Sequence, residues 1–99
     1  MADALILEFD GVGVEGYEAV NRELGIDMET GEGDWPDGLI SHTAGAKPGG
    51  WVVIEIWESQ DAQGEFMNDR LGAALGAGRV PAPSRVEWID LAAYHTPGA

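Results

Sequence analysis

The chain contains no cysteine. It therefore cannot form a disulfide, use a thiolate nucleophile or bind a metal through sulfur. Basic residues are also scarce, because 5 Lys and Arg stand against 18 Asp and Glu and give a formal net charge of −13. Nucleic acids and anionic membrane surfaces are bound through clustered Lys and Arg, so we expect neither as a partner.

Long hydrophobic runs are missing as well. No segment approaches the roughly 20 apolar residues that cross a bilayer, and the first ten residues, MADALILEFD, lack the basic segment of a secretory signal. We therefore expect a cytoplasmic protein. A content of 44% hydrophobic and 23% charged residues is typical of a globular protein, and 99 residues fit a single domain spanning 1–99.

Clustered metal ligands are absent from the sequence too. The acidic stretch DMETGEGDWPDG at 27–38 has glycine at its fifth position and glutamate at its sixth, which is not the ligand spacing of a calcium loop. We interpret this stretch as an exposed loop, in which Trp35 is the one aromatic group. We expect no bound metal or flavin.

Hydrophobic periodicity predicts six elements in the order strand, helix, strand, strand, helix, strand. The middle two strands flank the turn AKPGG, and Ser59 is a candidate N-cap for the second helix. The predicted strands are 4–9, 39–45, 51–57 and 85–92, and the helices are 14–24 and a segment from Ser59 to the glycines at 76 and 78.

This order predicts an α+β, ferredoxin-like βαββαβ fold, in which both helices cover one face of a four-stranded antiparallel sheet. The other face needs either polar residues or a second subunit. Strand 51–57 alternates between an aliphatic row and a tryptophan-containing row, namely Val52, Ile54 and Ile56, and Trp51, Val53, Glu55 and Trp57. We expect the aliphatic row to face the helices and the tryptophan row to join two subunits.

The element order, the stretches GLISHTAG and GGWVVIEIWES, and a helix carrying FMNDRL resemble the small dimeric α/β-barrel proteins of the antibiotic biosynthesis monooxygenase-like family. The resemblance covers residues 5–95 and is most specific over 38–71. It implies a homodimer whose sheets pair face to face, with a pocket between sheet and helices or within the barrel. Some members oxidise aromatic compounds with O2 and no cofactor, others degrade haem, and many have no assigned activity, so the fold does not settle the function.

Few family residues carry over. Trp57 matches the tryptophan that closes the third strand in the motif resembling WES. Haem-degrading members use an asparagine near the first strand and a histidine on the second helix. Here the first strand offers Glu8 and Asp10, and the second helix has Asn68 but no histidine. The resemblance therefore implies neither haem degradation nor any other cofactor.

His42 and Glu55 are the predicted catalytic residues, and their contact depends on the hairpin register. A four-residue turn at 47–50 places His42 opposite Glu55 on one face, whereas a five-residue turn places it opposite Ile54. In the first register the carboxylate can hold one imidazole nitrogen and leave the second facing the pocket, as a general base requires. The alternative interpretation is a hydrogen-bonded histidine at a strand surface.

Four further residues are candidate substrate contacts: Trp57, Trp51, Tyr17 and Asn68. Trp57 is interpreted as a stacking wall for a flat substrate. Each has an alternative, because the tryptophans can fill a dimer core, Tyr17 can be a core contact of the first helix, and Asn68 can be solvated.

Two functions remain open from the sequence. The first is a cofactor-independent, monooxygenase-like enzyme that acts on an aromatic or polycyclic hydroxylated compound with a pocket-lining base. The second is a non-catalytic dimer that binds a small apolar ligand or a protein, in which His42 and Glu55 are only a satisfied polar pair. An open cavity beside these two groups favours the first, and a sealed pair favours the second.

Overall fold

The computed structural model describes residues 2–98 and contains one four-stranded antiparallel sheet with strand order β2-β3-β1-β4. The strands are β1 (Asp3–Asp10), β2 (Leu39–Lys47), β3 (Gly50–Trp57) and β4 (Arg85–Asp90). Helix α1 (Val14–Leu24) follows β1, and the second helix follows β3 in three consecutive segments: α2 (Gln60–Phe66), a π-helical segment (Met67–Leu71) and α3 (Gly72–Ala77). The predicted ferredoxin-like α+β fold is confirmed.

The helices begin and end where the sequence predicts. Helix α1 ends at Gly25, and the Ser59 hydroxyl accepts a hydrogen bond from the Ala62 backbone N–H at 3.1 Å, which caps α2. The π-helical segment was not predicted, because such turns are rare and short, and the apolar spacing was interpreted as one regular helix. Among residues 2–98, no helix has the length and apolar character needed to cross a membrane.

The central hairpin has the first of the two predicted registers. Lys47 pairs with Gly50, so the connection consists of Pro48 and Gly49. Gly49 has φ +76°, which glycine adopts without strain and which matches the third position of a type II turn after proline. This turn sets His42 opposite Glu55 on the same face, which is one of the two alternatives that the sequence left open.

The face assignment of β3 is the reverse of our prediction. Trp51 and Trp57 are 8% and 0% exposed and belong to the core beneath the helices, whereas Ile54 is 47% exposed on the other face. Only the helix-covered side offers a layer deep enough to surround an indole ring, and it also supplies partners for polar tips. β-branched side chains of equal height suit the flat, uncovered side.

The uncovered side is called the open sheet face. It is aliphatic over most of its area and draws on β1, β3 and β4. Its apolar members are Ala4, Ile6, Val52, Ile54, Ile56 and Ile89. No element of the chain within residues 2–98 packs across it, so the fold leaves an apolar surface without an internal partner.

One end of the open sheet face carries charge. The Lys47 ammonium lies 2.9 Å from the Glu8 carboxylate and 3.6 Å from that of Asp10, and Arg85 pairs with Glu8 at 2.8 Å and with Glu87. The hydrogen bond from Lys47, followed by that from Arg85, holds the pKa of Glu8 below its usual range. Two basic residues thus offset two of the three acidic charges on this face.

Candidate functional site

A cavity of about 80 Å³ lies between the helix-covered face of the sheet and the helices. Its walls are mainly aliphatic and aromatic side chains from β1, β3, both helices and the loop after α1. Only a few polar side chains interrupt these walls, namely Tyr17, Asn21, His42 and Glu55. An apolar pocket with a small number of converging polar groups is the usual form of a small-molecule site.

The polar side chains of the site form one hydrogen-bonded chain. The Trp57 indole N–H donates to Glu55 Oε1 at 3.0 Å, and His42 Nδ1 lies 2.7 Å from Glu55 Oε2. The Tyr17 hydroxyl completes the chain at His42 Nε2. We call these four residues the relay chain.

The direction of the relay chain follows from Tyr17. Burial raises the pKa of this phenol, the hydrogen bond to Asn21 opposes that shift, and the charge of Glu55 adds to it. With the Tyr17 phenol protonated, its hydroxyl can donate to His42 Nε2, and an imidazole that carries its hydrogen on Nδ1 then donates to Glu55.

The positions of α1 and the central hairpin explain why these side chains lie in contact. Tyr17 and Asn21 are four residues apart on α1 and therefore share one helix face, while His42 and Glu55 are cross-strand partners beneath it. The Tyr17 and His42 rings are nearly parallel, with 5° between their planes and 5.8 Å between their centroids, and the Trp51 ring lies 5.1 Å from Tyr17.

Trp57 does not have its predicted position. It does not line the cavity, is fully buried behind it and contacts Phe66 at a ring distance of 5.8 Å. Its part in the site is the hydrogen bond to Glu55, so the interpretation as a stacking wall is wrong. The face reversal of β3 causes this error, because it places the indole in the core layer.

Asn68 is also misplaced by the prediction. It lies on the exposed side of the π-helical segment and does not line the cavity. Its neighbours in that segment, Met67 and Leu71, line the cavity instead. The alternative interpretation of Asn68 as a solvated helix residue is the correct one.

Trp35 belongs to the site although sequence reasoning placed it in an exposed loop. At 37% exposure it is the most exposed of the lining residues, and its ring centroid lies 5.4 Å from that of His42. Its indole N–H donates to the Gly31 carbonyl at 2.8 Å. A lone tryptophan in an acidic loop was the available signal, since such a ring seeks a partly apolar surface.

The loop at 27–38, called the Trp35 loop, is fixed against the helices. Arg70, on the π-helical segment, donates to the backbone carbonyls of Leu24 at 2.8 Å and Asp34 at 2.7 Å. Gly33 packs so closely on Ile26 that an added Cβ would lie 2.6 Å from the Ile26 Cα, and its φ of +147° also requires glycine. These contacts hold Trp35 over the cavity.

One polar group of the lining has no partner. Trp51 is 8% exposed, and its indole nitrogen is buried without a hydrogen-bond acceptor among residues 2–98. Buried donors without an acceptor are uncommon in folded proteins. Among residues 2–98, no cluster of three or more His, Asp or Glu side chains could hold a metal.

Solved structures share this fold at low sequence identity. One is a protein from Chloroflexus aurantiacus provisionally assigned as an antibiotic biosynthesis monooxygenase, with a TM-score of 0.67, 16% identity, and coverage of 99% of this chain and 100% of that one. Another is a protein of unknown function from Nitrosomonas europaea, with a TM-score of 0.64, 17% identity, and coverage of 99% and 96%. No protein-family model and no curated protein matches the sequence. The likeness establishes the antibiotic biosynthesis monooxygenase-like fold, as the resemblance implied.

Proposed function

We propose that this chain, which has the antibiotic biosynthesis monooxygenase-like fold, is a homodimeric enzyme that oxidises a small hydroxylated aromatic compound with O2 and without a cofactor. The observation that carries the proposal is the relay chain from Glu55 through His42 to Tyr17 at the wall of an otherwise apolar cavity. Apolar walls exclude water from a reactive carbanion, and the relay chain can take up its proton.

In this proposal His42 is the base, as the sequence predicts, but Tyr17 stands between it and the substrate. Tyr17 passes its hydroxyl proton to His42 Nε2 while its oxygen accepts the proton that leaves the substrate. Glu55 stabilises the resulting imidazolium through Nδ1. Trp57 acts as a positioning residue, because its N–H holds the other carboxylate oxygen.

The oxidation balances with O2 as the only co-reactant. Removal of a proton from an activated CH2 carbon leaves a carbanion, which gives its electrons to O2 and forms a C–O bond as a peroxide. Loss of water from the peroxide leaves a carbonyl group. One oxygen atom enters the product, the other leaves as water, and the substrate supplies all four electrons.

The test is oxygen consumption by the purified protein with a panel of hydroxylated aromatic compounds. We expect one O2 per substrate with no added cofactor, and a roughly 100-fold or larger fall in kcat in His42→Ala, as for loss of a general base. His95→Ala is the matched control, because His95 is the second of the two histidines and lies exposed in the C-terminal tail. Turnover that survives in His42→Ala, or falls equally in His95→Ala, would refute the assignment.

One observation favours a second function. Each member of the relay chain already has a hydrogen-bond partner in the unliganded chain, as a satisfied polar pair in a binding protein would. In that case the cavity binds its ligand without consuming O2. Ligand binding with no oxygen uptake across the panel would favour this non-catalytic alternative over the enzyme.

The homodimer is part of the same proposal, and the open sheet face is the surface that pairs. Ile54 and Ile89 are 47% and 39% exposed there, which is apolar area that a second copy of the same flat face can cover. The charge on this face is two basic against three acidic residues, although the chain carries −13 in total. Two acidic copies therefore repel each other least along this face. The predicted cytoplasmic location belongs to the proposal as well.

A further inference from the structure

We infer that the ligand of the cavity is a neutral compound with a single aromatic ring and one hydrogen-bond-accepting oxygen, which the Trp51 indole N–H recognises. This inference names the substrate class of the site and rests on the proposed function. It draws on three separate properties of the cavity: an unpaired donor, the charge of the lining and the available volume.

The donor is the Trp51 indole N–H. It is buried and lacks an acceptor in the described part of the chain, whereas the indole nitrogens of Trp35 and Trp57 donate to Gly31 and Glu55. Trp51 lines the cavity beside Tyr17, whose hydroxyl ends the relay chain. A ligand oxygen between these two residues would supply the missing acceptor and place the adjoining ring atoms next to Tyr17.

The charge of the lining favours a neutral ligand. Within residues 2–98, neither Lys nor Arg lines the cavity, so an anionic ligand would lie near the Glu55 carboxylate without a Lys or Arg to offset the repulsion. A cationic ligand gains little, because both oxygens of Glu55 are already hydrogen-bonded, one to His42 and one to Trp57. A phenol or a neutral carbonyl compound meets neither obstacle.

The volume limits the ligand to one ring. A cavity of about 80 Å³ is smaller than the roughly 150 Å³ that accommodates benzene in an apolar protein core. The exposed wall at Trp35 is where the cavity can widen, because Trp35 is the most exposed of the lining residues and most of the other walls are sheet and helix core. A modest outward movement of Trp35 admits one ring, whereas a polycyclic compound requires displacement of the Trp35 loop. The polycyclic part of the sequence-based prediction is therefore set aside.

The test is equilibrium binding to the full-length protein under nitrogen, so that turnover plays no part. The probes are 4-methylphenol, toluene, 4-methylbenzoate and 2-naphthol at pH 7, measured by titration calorimetry. We expect 4-methylphenol to bind about tenfold more tightly than toluene, as expected for one hydrogen bond to a buried donor. It should also bind more tightly than 4-methylbenzoate, which is anionic, and 2-naphthol, which has a second ring. Trp51→Phe should abolish the preference for 4-methylphenol over toluene, and Trp88→Phe, on β4 and outside the cavity lining, should retain it.

A second measurement uses the unsubstituted protein and so does not depend on whether a variant folds. In protein labelled with 15N at the indole nitrogens, 4-methylphenol should shift one buried indole N–H resonance downfield, and toluene should leave it in place. The inference is overturned if 4-methylphenol fails to bind, if toluene, 4-methylbenzoate or 2-naphthol binds as tightly, or if Trp51→Phe keeps the preference. Failure of the oxygenase proposal is distinguishable, because it appears as absent O2 uptake while these affinities keep their order.

Discussion

At the scale of single residues, the site is built around a buried carboxylate. Glu55 is 8% exposed, and burial of a charged group is unfavourable unless hydrogen bonds compensate it. Trp57 and His42 each supply one, so the carboxylate fixes the orientation of the imidazole and the imidazole fixes that of Tyr17. A substitution at Trp57, the buried end of the relay chain, should therefore alter the orientation of Tyr17 at the cavity.

The hydrogen bond from Trp57 can be measured with a matched pair of variants. Trp57→Phe and Trp51→Phe remove similar ring volume from the same face of β3, but only the first leaves the carboxylate of Glu55 with one partner fewer. We expect Trp57→Phe to lower the free energy of unfolding by about 1–3 kcal/mol more than Trp51→Phe does, since a buried acceptor then lacks its donor. Urea denaturation measures both values, and equal losses would contradict the role given to Trp57.

The Tyr17 hydroxyl should lose its proton at a higher pH than an ordinary tyrosine does. Burial raises its pKa above the ordinary value of 10.0, so the neutral phenol favours the folded state. This contribution to stability is fully present below pH 10 and is lost as the pH rises through the folded-state pKa. Tyrosinate absorbance should show a component above pH 10 that disappears in Tyr17→Phe and persists in Tyr94→Phe. A late component that survives in Tyr17→Phe would contradict the raised pKa.

These residues show which features of the site could be predicted from the sequence and which could not. The pairing of His42 with Glu55 could be narrowed to one of two registers, because a short Pro-Gly turn permits few registers and each register fixes cross-strand neighbours. The face of β3 was not, because both of its rows are apolar and alternation alone does not say which one the helices cover. Trp35 was missed for another reason: its presence in an acidic loop was a signal, but its position over the cavity depends on loop contacts distant in sequence.

At the scale of elements, the second helix and the Trp35 loop act together. The π-helical segment places Arg70 where its guanidinium reaches two backbone carbonyls, and the same side chain lies 5.4 Å over the Phe66 ring. π-helical turns are frequent at functional sites because they reorient side chains locally. Here Arg70 attaches the acidic Trp35 loop to the second helix, which lines the cavity.

Arg70→Gln should therefore loosen the Trp35 loop. Glutamine is shorter and cannot reach the carbonyls of both Leu24 and Asp34, so the loop loses its main attachment to the second helix. We expect faster hydrogen exchange of the backbone amides within 27–38, measured by mass spectrometry, with the sheet unchanged. Arg79→Gln is the control, because Arg79 is exposed in the turn after α3 and lies beside residues 11–16. Equal exchange in both variants would show that Arg70 does not hold the loop.

At the scale of the whole molecule, charge and apolar surface are divided between opposite sides. Two of the five basic residues lie on the open sheet face, where they are paired with acidic neighbours, so the rest of the surface carries most of the negative charge. The apolar remainder of that face is left uncovered by the helices. Both features favour association through one side only and a closed pair rather than a chain of copies.

The dimer is tested by light scattering after size exclusion, where we expect about twice the chain mass of 10.5 kDa. Ile54→Asp should yield a monomer, because it buries two unpaired carboxylates at the centre of the pairing face. Val86→Asp is the matched control: Val86 is 57% exposed but lies on the other face, opposite Leu7, so the dimer should persist.

Added salt should strengthen association of the two copies, since screening reduces the repulsion between two chains of charge −13 while the apolar contact is unaffected. A dimer that weakens with salt, or survives Ile54→Asp, would mean that another surface joins the copies.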